Sequence, residues 1–68
     1  MDNELIRLLD GIAASIREAG LEPYDQITGY LRTGNERYIT RTGHARELIQ
    51  SIDRKDLKQY AAFLKTKK

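Results

Sequence analysis

The chain has 68 residues, no cysteine and one histidine, which excludes disulfides, thiolate metal sites and any metal site built from histidine alone. A domain this short buries only about 60 % of its unfolded surface, so its core is thin and self-association is the remaining support; a homodimer is expected. Twelve basic against ten acidic residues leave a net charge of +2, too balanced for composition alone to imply nucleic acid.

From Glu4 to Ala19 the apolar residues Leu5, Leu8, Leu9, Ile12, Ala13, Ile16 and Ala19 recur at spacings of three and four, which predicts a helix with one buried face. Asp2 or Asn3 caps its start, and Gly20 stops it. A second helix opens at Glu22-Pro23, with proline near the first helical position, where its missing N–H costs nothing. Ile27, Tyr30 and Leu31 form its stripe. Gly29 costs this helix about 1 kcal/mol against alanine, which points to a close helix–helix approach. Thr33-Gly34-Asn35 supplies the stop.

Tyr38, Ile39 and Thr40 favour a strand, but no second strand exists to pair with them, so 36–40 is read as a helical turn or an extended connector. A third helix of two to three turns follows, with Thr42 or Gly43 near its N-cap and Ala45, Leu48, Ile49 and Ile52 as its stripe. Asp53, with Asp56 three residues on, caps a last helix that buries Leu57, Tyr60, Ala61 and Leu64. Phe63 lies off that stripe. It is expected to be covered by a neighbouring helix, with a dimer contact as the alternative. Thr66-Lys67-Lys68 is expected to fray. The fold class is therefore all-α, one domain over 1–68, a small compact bundle of four principal helices plus a short connecting turn.

Chemistry is harder to find. The acids Asp10, Glu18, Glu22, Asp25, Glu36, Glu47, Asp53 and Asp56 are spread among basic neighbours, as on a solvated face, and the five glycines are isolated, so no carboxylate pair or phosphate loop appears. His44 is placed on the surface. The chain is read as a non-enzyme with no cofactor. Only Arg37-Tyr38-Ile39-Thr40-Arg41-Thr42-Gly43-His44-Ala45-Arg46 stands out, with three arginines around a helix N-terminus. Guanidinium forks beside free helix N–H groups can hold a phosphate, a carboxylate cluster or an acidic partner surface, and an ordinary arginine-rich loop reads the same way. The candidate binding residues are Arg37, Tyr38, Arg41, His44 and Arg46. A second reading makes the segment around Gly43 a helix-turn-helix mimic that contacts nucleic-acid phosphates; the modest charge disfavours it.

The order Gly20-x-x-Pro23, Gln26-Ile27-x-Gly29-Tyr30-Leu31-x-x-Gly34, Tyr38-Ile39 and Arg41-x-x-x-Ala45-Arg46-x-x-Ile49 resembles the IreB/ReoM family of small regulatory phosphoproteins of Gram-positive bacteria. The likeness runs in one register over nearly the whole chain. It implies a helical homodimer without enzymatic activity that acts below a membrane Ser/Thr kinase. It also implies a role in cell-envelope synthesis and antibiotic tolerance, with a protein partner such as the kinase or a protease-linked factor. Within the resemblance, the arginines of the R-x-x-x-A-R segment, here Arg41 and Arg46, belong to the functional surface.

Some positions depart from the family pattern. Thr40 stands where the family has proline, and Gln50 and Ser51 replace basic residues. The resemblance places the family's phosphoacceptor threonine in a tail ahead of the first helix; because the sequence opens at that helix, the phospho-switch is expected to be missing or to reside elsewhere. Thr40 and Thr42, with Thr33 behind them, are the candidate replacements. No apolar run approaches the ~20 residues that span a bilayer, and Met1-Asp2-Asn3-Glu4 lacks a basic secretory start, so a cytoplasmic location is expected.

Overall fold

The structure, a computed structural model, describes residues 2–66. Among them lie four α-helices, α1 (Asn3–Glu18), α2 (Pro23–Thr33), α3 (Ala45–Gln50) and α4 (Arg54–Thr66), with 3-10 turns at Glu36–Tyr38 and Thr42–His44. The single connecting turn expected from the sequence is thus two.

Local chemistry sets the helix ends. Asp2 accepts the Leu5 N–H at 2.8 Å and leaves Glu4 in the first turn, where the dipole favours it. At the other end Gly20 is left-handed, and the Leu21 and Gly20 N–H groups donate back to the Ile16 and Arg17 carbonyls. This is a Schellman stop. Proline opens α2, and left-handed Gly34 closes it with its N–H on the Tyr30 carbonyl at 2.7 Å. The Arg54 guanidinium also reaches the Leu31 carbonyl, so α4 helps to satisfy the end of α2. Asp53 accepts the Lys55 N–H at 3.0 Å at the start of α4.

Packing pairs α2 with α4, and α1 with α3 and the second 3-10 turn. The four helical stripes meet in one core of Leu9, Ile12, Ala13, Ile16, Ile27, Ala45, Ile49, Ile52, Leu57, Tyr60, Ala61 and Leu64, with Ile39 from the connector among them. Ala19 is exposed as the C-cap of α1 rather than a member of its stripe, and Leu48 stays 37 % exposed.

Two further expectations are corrected. Gly29 does not admit another helix: its close neighbour is the Tyr38 ring, whose Cδ1 would lie 2.6 Å from a Cβ placed on Gly29. Thr42 and Gly43 do lie near the N-cap of α3, in a 3-10 turn just ahead of it, and left-handed His44 takes the N-cap position itself with no side-chain bond. Phe63 is not covered by a neighbouring helix. It is 46 % exposed, with its ring centroid 5.9 Å from that of Tyr60. Thr66 is the last residue of α4, its hydroxyl on the Phe63 carbonyl at 2.7 Å, while Lys67 and Lys68 lie outside the described residues.

Tyr60 ties α4 to α1. Its hydroxyl donates to Asp10 Oδ1 at 2.7 Å. Burial first, then this bond and the Asp10 charge, push the phenol well above its ordinary value. Because the folded value is raised, this stabilisation is present below the unfolded tyrosine value of about 10 and declines as pH rises beyond it. Tyr60→Phe is expected to lower stability by about 1 kcal/mol at neutral pH. Urea titrations of both proteins from neutral to strongly alkaline pH should show that gap closing.

Gly29→Ala separates two opposing effects. Alanine gains about 1 kcal/mol of helix propensity, whereas overpacking against the ring costs about 1–3 kcal/mol. The substitution is expected to destabilise the native protein and to stabilise a Tyr38→Ala background. Thermal unfolding of the four proteins in the cycle reads that change of sign.

Candidate functional site

Residues 39–46 are held at several points. Ile39 is extended and fully buried, which is how a β-branched residue serves a fold with no strand among its described residues. The next residue, Thr40, donates its N–H to Gln26 Oε1 on α2 at 3.0 Å. Its hydroxyl donates to that of Thr42 at 3.1 Å and accepts the Thr42 N–H at 3.3 Å. Arg46 then closes the segment, its Nε donating to the Ile39 carbonyl at 2.9 Å.

Between these ties the backbone turns through two successive left-handed residues, Gly43 at φ 60° and His44 at φ 61°. Glycine enters that region freely; a side-chain-bearing residue does so at a cost of about 1 kcal/mol or more. The His44 N–H is bonded to the Arg41 carbonyl and the Ala45 N–H to the Thr42 carbonyl. These donors are therefore not free for an anion, as the sequence reading supposed. The pair of helices suggested around Gly43 is a 3-10 turn and a six-residue helix.

Arg41, His44 and Arg46 do converge. They line one open depression of about 480 Å³ together with Glu36, Glu47 and Gln50. Arg37 and Tyr38 are not among its lining residues; Arg37 is exposed on the first 3-10 turn, and the Tyr38 ring lies on Gly29. Two arginines face two glutamates, so the depression carries both signs rather than a positive patch. His44 Nδ1 lies 3.8 Å from the Glu47 carboxylate with both side chains 80 % exposed, a loose contact that water screens.

Two of the three additions, Glu47 and Gln50, were within reach of helical arithmetic. Glu47 lies three residues after His44 and Gln50 four after Arg46, which places each pair on one helix face, and Gln50 Nε2 donates to the Arg46 carbonyl at 3.0 Å. Glu36 comes from a separate turn and carries no such signal. Thr40 and Thr42 are half-buried and do not line the depression, and their hydroxyls are engaged on each other. Thr33 is bonded back to the Gly29 carbonyl at 2.8 Å. Among the described residues no group of three or more histidines or carboxylates is placed to hold a metal. No described helix is long and apolar enough to cross a membrane.

Fold and surface together define a small all-helical protein with one open depression where Arg41 and Arg46 stand beside Glu36 and Glu47. The chain belongs to the family of IreB regulatory phosphoproteins, whose family model matches residues 1–62, and a regulatory role comes with that membership. It is also similar to a UPF0297 protein of Ruminiclostridium cellulolyticum, 30 % identical over 56 residues. That match covers 82 % of this chain and 64 % of the relative, so the chain spans a little under two thirds of the relative's length.

The two arginines are expected to behave differently in stability measurements. Arg46→Lys removes the Nε donor and leaves the buried Ile39 carbonyl without it, at about 1 kcal/mol. Arg41→Ala, at an exposed position, is expected to stay within about 0.5 kcal/mol of the native protein. Urea unfolding of both variants makes the comparison.

Proposed function

We propose that this protein is a non-catalytic regulator that binds a protein partner through the surface bearing Arg41 and Arg46, and that it works as a homodimer. The observation that carries the reading is the pairing of the two arginines on one depression. Arg46 is fixed by the Ile39 carbonyl while Arg41 stands exposed, which gives a partner one preorganised guanidinium and one adaptable one. The same two residues hold the arginine positions of the family's R-x-x-x-A-R segment.

Family membership supports placing this activity below a membrane Ser/Thr kinase, in the control of cell-envelope synthesis and antibiotic tolerance. The partner is then the kinase or a protease-linked factor, met in the cytoplasm. With Glu36 and Glu47 beside the arginines, the matching surface carries both signs of charge, which favours a protein over the uniformly anionic backbone of a nucleic acid. Thr40 and Thr42 remain the phosphoacceptor candidates on this chain, and their shared hydrogen bond must open before a kinase reaches either hydroxyl.

The test is capture from native lysate on immobilised protein. Arg41→Ala with Arg46→Ala is expected to remove the specifically captured partner, each arginine contributing about 1–2 kcal/mol or roughly tenfold in affinity. Capture that survives the double substitution rejects this surface. Light scattering on the eluting peak from size exclusion at micromolar concentration is expected to give twice the chain mass, and a stable monomer rejects the dimer.

A further inference from the structure

One close contact of the turn that bears Arg41 and His44 takes no part in lining the depression. Gly43 lies against α1 so closely that a Cβ placed on it would sit 2.3 Å from Ser15 Oγ and 3.1 Å from Ser15 Cβ. No real Cβ tolerates the first distance. The contact falls within the left-handed pair, between Arg41, which precedes it, and Arg46, which returns to the Ile39 carbonyl. Ala45, the next residue after the pair, is fully buried, so the turn meets the core after His44 and meets Ser15 of α1 before it.

We propose that the close approach of Gly43 to Ser15 positions the binding surface: the absence of a side chain at 43 lets the turn lie against α1 at Ser15, and that seating sets Arg41 and His44 opposite Arg46. This rests on the binding surface proposed above and adds to it a residue on a different helix. Neither Ser15 nor Gly43 lines the depression; they act through the turn.

Two properties of residue 43 need separating, its left-handed backbone and its closeness to Ser15. Gly43→Ala disturbs both. Adding Ser15→Ala removes only the hydroxyl, relaxing the nearest approach from 2.3 Å to the 3.1 Å of Cβ, while the backbone penalty stays the same in single and double variants. The difference between them therefore reports the contact alone.

The reporter is the Arg46 Nε–H resonance in ¹⁵N correlation spectra, whose slow exchange marks its bond to the Ile39 carbonyl. A protected signal is expected in the native protein and in Ser15→Ala, its loss in Gly43→Ala, and its return in Gly43→Ala with Ser15→Ala. Capture is scored in parallel on the bands that the native protein retains and the double-arginine variant does not, and it is expected to follow the same order. If such bands exist but the double variant remains as poor as Gly43→Ala, with the Arg46 signal missing from both, the positioning proposal alone is overturned. If no band separates the native protein from the double-arginine variant, the binding surface falls, and the positioning role with it. Should Gly43→Ala fail to fold, Ser15→Val crowds the same contact from the other side and leaves the glycine in place. Loss of the protected signal then supports the pair, and an unchanged spectrum overturns it.

Discussion

The burial of Ile39 is the constraint on which the other features hang. In a chain this short the four helices do not close the core by themselves, and one extended residue between two 3-10 turns is drawn fully inside. Its neighbours are placed as a result: the Tyr38 ring is laid on Gly29, the Thr40 N–H on Gln26, and the Ile39 carbonyl is turned to accept Arg46. A backbone polar group carried towards the interior has to find a partner. The partner here is a guanidinium, so the demand of the core and the placement of a surface arginine are met by a single hydrogen bond.

The helices were legible because their signals are local and redundant. Stripes at spacings of three and four, Asp2 and Asp53 ahead of helix starts, Pro23 inside one and Gly20 and Gly34 after two each report the same boundaries. The connector was not legible at that level. Tyr38-Ile39-Thr40 carries strand propensity in a fold with no strand among the described residues, and only tertiary burial of Ile39 explains the composition. Gly29 was read correctly as a close approach and wrongly as one between helices, since a sequence shows that space is needed but not what fills it.

The candidate site divides along the same line. Arg41, His44 and Arg46 were visible as a cluster and remain one, whereas Arg37 and Tyr38 separate from it because the 3-10 turn at Glu36–Tyr38 points its residues in different directions. Glu36 therefore joins the arginines while its two neighbours do not. The acids change the chemistry expected of the surface, from a receptor for anions to a face of mixed charge. Membership of the IreB family supports the regulatory setting proposed, and under that proposal a partner would have to present both signs of charge.

The brevity of α3 bears on motion as well as on shape. A six-residue helix preceded by an uncapped left-handed residue retains few internal hydrogen bonds, whereas α1 spans sixteen residues with both ends satisfied. Opening free energies within one domain follow such differences, and it is the full burial of Ile39, Ala45 and Ile49 that latches 39–50 onto the rest of the fold. A partner of the kind proposed, gripping Arg41 and Arg46 together, would recognise only the latched form. Its binding would then register as slowed amide exchange in this segment alone, and the occupancy of the surface would be set by how often the latch is shut.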